Sequence, residues 1–376
     1  MNKINLLQSF SPIILLVLLL SVNVLEFGND SISGPNQIAL LFSAALACLI
    51  AFKRNISWEE IFKSISNSIK STSNAMIILL LIGALSGSWL IGGIIPTLVY
   101  YGLELLNVNY FLIATCIITA IVSLSIGSSW STIATIGIAL LAIGKVLAIP
   151  AEITAGAIIS GSYFGDKMSP LSDTTNLASA VTESDIFEHI KYMSYTTIPS
   201  FIITLVIFFI IGLNYENSSI ENLSNIQDAL VKTFNINPLM LLTPLLVIFL
   251  IFKNIPAVAS LFFAVLLGCL STFIFQKELL ESLLQSDSYL NKSEYYLIIS
   301  SITTNFSIIT ENNSLNSLLN TSGMSGMLNT IWLVISAMVF GGSMQCAGII
   351  KDISEFIKGN RNNEKNIVLK TVISCI

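Results

Sequence analysis

The feature that most constrains the fold of this chain is a series of long apolar runs with short polar stretches between them. A helix that crosses a hydrocarbon core about 30 Å thick needs roughly 17–25 mostly apolar residues. The runs of this kind are Ser11–Phe27, Gln37–Phe52, Ala75–Ile95, Tyr110–Ile126, Thr132–Ile149, Ile153–Ala180, Thr197–Leu213, Pro238–Phe252, Ile255–Phe275 and Leu328–Ile350. A further run opens at Asn366–Ile376. We therefore expect a chain that crosses a membrane many times.

The composition agrees with this expectation. Hydrophobic residues make up 54% of the 376 residues, charged residues make up 10%, and the mean hydropathy is +0.82. Soluble domains usually carry roughly 25% charged residues. Because the backbone of a segment in lipid must satisfy its own hydrogen bonds, we predict an all-α polytopic membrane protein. Membrane lipid is the expected partner, and a homodimer is compatible with the sequence.

Two other classes of protein are not favoured. The net charge of −5 comes without a basic patch, so we expect no nucleic-acid partner. The sequence contains no paired nucleophile and base, no metal-spaced cluster of His and Cys, and no phosphate-binding loop. We therefore expect neither an enzyme nor a bound cofactor.

One apolar run changes character abruptly between Gly165 and Asn176. Charged residues, hydroxyls, Gly and Pro replace the apolar residues that lead up to Phe164. Pro170 removes one backbone donor and disfavours helical conformation at Ser169. Each polar group at membrane depth needs a partner. We predict a broken membrane helix here, and breaks of this kind bind ions or substrates in transporters.

A second polar cluster lies at Ser125–Thr132, between two apolar runs. Its hydroxyl-bearing residues include Ser128, Ser129, Ser131 and Thr132. The two flanking runs are either two spans joined by a tight turn or one re-entrant hairpin with its hydroxyls near the midplane. A third interpretation is that these hydroxyls bond to the carbonyls of their own helix. The sequence alone does not choose among these interpretations.

The orientation follows from the basic residues in the loops, which concentrate on the cytoplasmic side. With the amino terminus in the cytoplasm, 12 of the 17 Lys and Arg residues lie on that side, 4 lie on the other side, and Lys167 lies within the membrane. We therefore predict a cytoplasmic amino terminus. The polar segments Trp58–Ser71 and Glu278–Asn305 are expected to lie in the membrane interface.

An internal repeat joins the two halves of the chain. The segment Gly87-Ser-Trp-Leu-Ile-Gly-Gly-Ile-Ile95 matches Gly342-Ser-Met-Gln-Cys-Ala-Gly-Ile-Ile350, and each copy follows a pair of apolar runs. The alternative is that small residues recur because they let helices approach closely. The predicted orientation sends the two copies across the membrane in opposite directions, which indicates an inverted repeat. If so, Gly87, Ser88, Gly342 and Ser343 are expected to be helix-packing positions.

The repeat defines the expected domain organisation. We predict a first transmembrane repeat over residues 1–213, an extracytoplasmic linker over 214–237, and a second, inverted repeat over 238–376. The spacing of the two copies places the second-repeat partners of the break after residue 376. We therefore expect the second repeat to be incomplete, with roughly 80 further residues needed to match the first.

The residues around the break also carry a resemblance. The run Ala155-Gly-Ala-Ile-Ile-Ser-Gly-Ser-Tyr-Phe-Gly-Asp-Lys-Met-Ser-Pro-Leu-Ser-Asp-Thr-Thr-Asn-Leu-Ala178, preceded by Gly127-Ser-Ser-Trp-Ser-Thr132, resembles the signature region of the NhaC family of Na⁺/H⁺ antiporters. The similarity extends over roughly 83–200. The resemblance implies a multi-pass transporter of the bacterial inner membrane that exchanges Na⁺ for H⁺. Some members resemble carboxylate exchangers, which couple malate and lactate to the same ions.

The chemistry of the break is consistent with a hard monovalent cation, which prefers oxygen ligands. The expected ion-binding residues are Asp173, Asp166, Ser172, Thr174, Thr175 and Asn176, with Na⁺ at the two carboxylates and Lys167 as a charge partner. Asp173 is the expected shared carrier, with Asp166 as the first alternative, because one carboxylate can hold a proton or Na⁺ but not both well. That competition would couple the two fluxes. The alternative is that an Asp pairs with Lys167 only to neutralise buried charge.

Two further functional hypotheses remain open. An organic-acid or amino-acid exchanger would use the same break, with exposed amide groups or Lys167 binding the substrate carboxylate. A channel or a membrane scaffold would not need titratable carboxylates there. Coupled flux against a gradient separates a transporter from a pore.

Overall fold

The computed structural model describes residues 6–105, 107–170, 172–181, 184–215, 220–253, 255–286, 289–310, 316 and 319–358. The first helices are α1 Leu6–Phe27, α2 Pro35–Lys53, α3 Trp58–Ile91, α4 Ile94–Leu105, α5 Val108–Ile126, α6 Ser129–Thr132, α7 Ile138–Val146, α8 Ala151–Met168, α9 Asp173–Val181 and α10 Ile186–Leu213. The later helices are α11 Ile220–Thr233, α12 Leu242–Phe252, α13 Ala257–Phe275, α14 Lys277–Gln285, α15 Glu294–Thr303, α16 Leu328–Cys346 and α17 Ile349–Lys358. Two short strands, Phe306–Ser307 and Asn320–Thr321, pair antiparallel.

Eight helices in the described part of the chain are long and apolar enough to cross a membrane, or up to nine if the bent pair that includes α12 counts as one span. The predicted all-α polytopic fold is therefore confirmed. The eight are α1, α2, α3, α5, the continuous helix from Ser129 to Val146, α10, α13 and the helix that ends at Cys346.

Helix α3 is longer than the sequence suggested. The polar segment Trp58–Ser71, which we expected to be a separate interfacial segment, continues without a break into the apolar span and gives a helix of 34 residues. The first turn is ordered by Ser57, since its backbone N–H and its hydroxyl both donate to Glu60. No Gly or Pro interrupts the segment, so nothing local ends the helix between its polar and apolar parts.

The predicted linker also contains regular structure. Helix α11 lies within 214–237, and its buried residues Ile226 and Leu230 are one helical turn apart on the face that joins the core. Phe234 continues this buried face, and Asn235 bonds through its N–H and its carbonyl to the side chain of Gln276. This part of the linker is therefore packed. Its extracytoplasmic position remains a prediction.

The chain forms two compact units, which we call the terminal unit and the central unit. The terminal unit contains the described residues up to Ile77 and from Met327 onward, and the central unit spans Ile78–Gly326. Helix α3 contributes its first part to the terminal unit and its last part to the central unit. These units divide the chain by internal contacts, whereas the predicted repeats divide it by symmetry.

The second copy of the motif, which begins at Gly342, packs closely on α2 and α3 within the terminal unit. A Cβ atom added at Gly342 in α16 would lie 2.7 Å from the Cα atom of Ile65 in α3, and Ser64 Oγ donates to the Gly342 carbonyl at 2.9 Å. The thiol of Cys48 in α2 donates to Ser343 Oγ at 3.4 Å. Arg54, which follows α2, donates to the carbonyl of Ala347 at 2.7 Å. Arg54 also pairs with Asp352.

The central unit contains the matching contacts of the first motif. A Cβ atom added at Gly87 in α3 would overlap the carbonyl oxygen of Ser301 in α15. Ser88 Oγ lies 2.8 Å from the position of a Cβ atom added at Gly268 in α13. A Cβ atom added at Gly93 would overlap the amide of Gln276, which directly follows α13 as Arg54 follows α2. Each copy of the motif therefore packs on the elements that lead into the other copy.

Candidate functional site

The predicted break lies between α8 and α9. Helix α8 ends at Met168, and Ser169 has the extended backbone conformation (φ −87°, ψ 129°) that a residue before proline prefers. Asp173 begins α9. The side chain of Asp173, the residue expected to bind Na⁺ and H⁺, lies outside the described side chains, as does Leu171. Its position at the first residue of α9 is described by the backbone alone.

Polar side chains after the break hold it together. Thr175 Oγ1 donates to the carbonyl of Lys167 at 3.2 Å and lies 3.5 Å from the carbonyl of Asp166. Asn176 Nδ2 donates to the carbonyls of Pro170 and Ser172 at 2.9 and 2.8 Å. The Lys167 carbonyl, which lies in the last turn of α8, thus receives a side-chain partner, and Asn176 bonds to the loop that follows. In this structure Thr175 and Asn176 bridge the break.

The remaining two predicted hydroxyls contact one another. Ser172 Oγ and Thr174 Oγ1 are 2.9 Å apart, with Ser172 buried and Thr174 exposed. They form a local pair at the start of α9.

Asp166 receives a partner from the second polar cluster. Ser129 Oγ donates to Asp166 Oδ2 at 2.7 Å, and Asp166 is partly buried in the last turn of α8. Ser129 is the first residue of α6, so the carboxylate lies at the amino-terminal end of that helix. The helix dipole favours negative charge there. The structure therefore joins the two polar clusters that the sequence presented separately.

The other hydroxyls of the second cluster serve the helix itself. Ser128 is the N-cap of α6, and its Oγ accepts from the Ser131 backbone N–H at 3.3 Å and from Ser131 Oγ at 3.1 Å. Thr132 Oγ1 donates to the Ser128 carbonyl at 2.9 Å. Ser128, Ser131 and Thr132 therefore bond within their own helix, as the third interpretation of this cluster expects.

The turn before this cluster has a clear local cause. Gly127 adopts the left-handed conformation (φ 74°) that ends α5, and Ser128 then starts the next helix. A π-helical segment, Ile133–Gly137, connects α6 to α7 without a break, so the helix runs from Ser129 to Val146. Both α5 and this helix are long enough to cross a membrane, which favours two spans joined by a tight turn.

Helix α8 packs very closely on α5. Cβ atoms added at Gly161 and Gly165 would overlap the carbonyl oxygens of Cys116 and Ala120, and Ser123 Oγ donates to the carbonyl of Ser162 at 2.6 Å. Only glycine permits this approach. The contact fixes the end of α8, and with it the position of Asp166.

Lys167 does not pair with Asp166. Its side chain is exposed, and Nζ lies 6.0 Å from the ring centroid of Tyr163. Among the described residues the ion pairs are Arg54 with Asp352 and Lys351 with Glu355. Because consecutive residues of a helix point in different directions, Asp166 and Lys167 do not face each other.

Eight candidate membrane-spanning helices in the described part of the chain, together with a break between two helices that carries a carboxylate and side-chain oxygen atoms, are typical of secondary transporters. The sequence profile of the Na⁺/H⁺ antiporter family matches residues 161–376. The chain belongs to the Na⁺/H⁺ antiporter family, and the resemblance to NhaC proteins is confirmed.

The relatives differ in what their names say they carry. The chain is 36% identical over 375 residues to the malate-2H⁺/Na⁺-lactate antiporter of Bacillus subtilis. The matched region covers 99% of this chain and 76% of that protein. It is 31% identical over 340 residues to the Na⁺/H⁺ antiporter NhaC of Alkalihalophilus pseudofirmus, and this match covers 90% of the chain and 71% of the relative. It is 35% identical over 356 residues to the arginine/ornithine antiporter ArcD of Halobacterium salinarum, and this match covers 92% of the chain and 68% of the relative.

Proposed function

We propose that the protein exchanges Na⁺ for H⁺ across the bacterial inner membrane, with its amino terminus in the cytoplasm, through the carboxylates of Asp166 and Asp173. The observation that carries the proposal is the contact of Ser129 with Asp166. It supports a shared site because two polar clusters, about forty residues apart in the sequence, converge on one carboxylate at the end of a broken helix. Family membership supports the choice of ions.

The surroundings of Asp166 suit a hard cation. The last turn of α8 directs carbonyl groups toward the break, and the hydroxyls of Ser129 and Thr175 bond to the Asp166 carboxylate and the Lys167 carbonyl. Oxygen ligands of this kind suit a hard cation such as Na⁺. A proton on the carboxylate removes the negative charge that attracts Na⁺, so each ion displaces the other. Alternating occupancy of this kind couples an inward proton to an outward Na⁺.

We also propose that the two halves of the chain are inverted repeats. The matching contacts of Gly87 and Gly342, of Ser88 and Ser343, and of the turns that follow both motifs support this proposal. Ile65 and Ser301, the residues that these glycines approach, lie in the third turn of helices that each start just after a serine, Ser57 and Ser293. A twofold relation accounts for such pairs of contacts.

The test is Na⁺-driven proton flux in everted membrane vesicles over a series of pH values. We expect Asp166→Asn and Asp173→Asn to stop coupled exchange, because an amide neither binds the proton nor offsets the charge of Na⁺. In the wild-type protein the half-saturating Na⁺ concentration should rise as pH falls, with about tenfold per pH unit as the limit for one shared proton.

Glu188→Gln is the matched control, because Glu188 is an exposed carboxylate in the first turn of α10. It should exchange like the wild-type protein. Normal coupled flux in both Asp variants would show that the carboxylates at the break do not carry the ions. Normal flux in Asp173→Asn alone would leave Asp166 as the carrier.

The malate-2H⁺/Na⁺-lactate relative supports a second candidate, a carboxylate exchanger coupled to the same ions. Lys167 is exposed and pairs with no carboxylate among the described side chains, so its ammonium group suits a substrate carboxylate. Addition of malate on one side and lactate on the other distinguishes the candidates. Flux that requires these acids, and that falls in Lys167→Gln, would favour the exchanger. Flux with Na⁺ alone favours the Na⁺/H⁺ antiporter.

A further inference from the structure

The hydroxyl of Ser162 is a buried polar group for which the described part of the chain supplies no hydrogen-bond partner. Ser162 is 0% exposed and lies on α8, one helical turn before Asp166. Its carbonyl accepts a bond from Ser123, but its own Oγ has no partner among the residues that the structure describes. Buried hydroxyls in proteins are normally satisfied by protein, water or an ion. Ser162 Oγ therefore indicates a place that suits something small and polar.

The helix opposite Ser162 is irregular at the same level. Ser129 contacts Asp166, and a Cβ atom added at Gly137 would lie 3.0 Å from Cγ2 of Ile158. Because Ile158, Ser162 and Asp166 lie on successive turns of α8, these two contacts put Ser162 at the level of the π segment Ile133–Gly137. A π segment shifts the backbone hydrogen bonds by one residue, and such segments occur frequently at functional sites. The unpaired hydroxyl and the π segment are independent observations, and both point to this level of the α6–α8 interface.

We propose that Ser162 Oγ is a ligand of the Na⁺ that Asp166 carries, with the ion between the two side chains and beside the π segment. This inference rests on the function proposed above. Side chains one turn apart on a helix are about 5–6 Å apart at Cβ, a gap that one cation bridges with an oxygen ligand on either side. A serine hydroxyl is a neutral oxygen ligand and suits a hard cation. Ser162 thus helps to set the affinity and selectivity for Na⁺.

Two substitutions separate a ligand from a packing residue. Ser162→Ala removes the oxygen atom, whereas Ser162→Cys fills similar space with a sulfur atom that is a poor ligand for a hard cation. We expect both variants to need roughly tenfold more Na⁺ for half-saturation, the loss expected from about one weakened ligand contact. The maximal rate and its pH dependence at saturating Na⁺ should change little, because Asp166 is intact.

Thr154→Val is the matched control. Thr154 lies on the same face of α8, is 0% exposed, and has a hydroxyl that is also unpaired within the described residues. It lies roughly 18 Å from Asp166 along the helix axis. Removal of its hydroxyl should leave the half-saturating Na⁺ concentration unchanged.

Binding can be measured without transport, through the stabilisation of purified protein by NaCl compared with choline chloride. The wild-type protein and Thr154→Val should be stabilised at the same Na⁺ concentration, and the two Ser162 variants only at about tenfold more. A wild-type response in Ser162→Cys, or equal shifts in Ser162→Ala and Thr154→Val, would overturn the assignment of Ser162 while leaving the antiporter intact. A wild-type protein without any Na⁺ response in flux or stability would overturn the proposed function itself.

Discussion

At the scale of single residues, neighbouring hydroxyls of the second polar cluster have different hydrogen-bond partners. Ser129 points its hydroxyl at Asp166, whereas Ser128 and Thr132 complete the hydrogen bonds of their own helix. All three are hydroxyl residues of one short cluster, so composition alone does not separate them. The difference arises because Ser129 lies in the first turn of α6, on the face that meets the last turn of α8.

Ser129→Ala should slow Na⁺-driven exchange several-fold without abolishing it. The carboxylate keeps its charge but loses a hydrogen bond of the kind that contributes about 1.5–3 kcal/mol when one partner is charged, and it becomes less well positioned. Proton flux in vesicles at a fixed Na⁺ concentration measures the loss.

Ser125→Ala serves as the control, because Ser125 is only partly buried and its hydroxyl donates to the Ile121 carbonyl of its own helix, away from Asp166. It should exchange normally. Equal rates in Ser129→Ala and the wild-type protein would show that the Ser129 contact does not contribute to transport.

At the scale of helices, close approach at glycine depends on single positions. Gly341 and Gly342 are adjacent in α16, but a Cβ atom added at Gly341 meets nothing within 4 Å, whereas one at Gly342 would lie 2.7 Å from the backbone of Ile65. The two glycines are therefore suited to a direct comparison, because they lie in the same helix and have the same helix propensity but different neighbours.

Gly342→Ala should destabilise the protein by about 1–3 kcal/mol, because the helices must separate to admit the methyl group. Gly341→Ala should be neutral or slightly stabilising, since alanine is the better helix former. Gly87→Ala should be at least as harmful as Gly342→Ala, since its Cβ atom would overlap a carbonyl oxygen. The thermal midpoint of the purified protein measures all three. Identical midpoints for Gly341→Ala and Gly342→Ala would contradict the packing at α3.

The sequence predicted the elements better than their contacts. Pro170 and the polar run after Phe164 identified the break, because local conformational preferences determine where a helix ends. The polar face of Trp58–Ser71 concealed that α3 is one continuous helix, because amphipathic and apolar helical segments can be joined without any local signal. The amphipathic spacing of Ile226 and Leu230 could have identified α11. The contact of Ser129 with Asp166 could not be predicted, because it depends on the register of two separate helices.

At the scale of the whole molecule, the distribution of basic residues predicts which loops face the cytoplasm. Lys53 ends α2 and Arg54 follows it on the predicted cytoplasmic side, whereas Tyr215 is the second residue of the predicted linker on the opposite side. A reporter that fluoresces only in the cytoplasm should be active when fused after Asn55. A phosphatase that is active only outside should be active when fused after Tyr215. The opposite pattern of activity would reverse the orientation of every helix.

The reciprocal packing of the two motifs also affects how the protein is made. The bond between Ser271 and the Gly92 carbonyl joins residues 179 positions apart, so α3 enters the membrane long before α13 exists. At synthesis rates of about 5–20 residues per second, the interval is roughly 10–40 s. During that time the face of α3 that carries Gly87 and Ser88 lacks its final neighbours and must contact lipid, other early helices or an insertion factor. The central unit therefore closes only after much of the chain has left the ribosome.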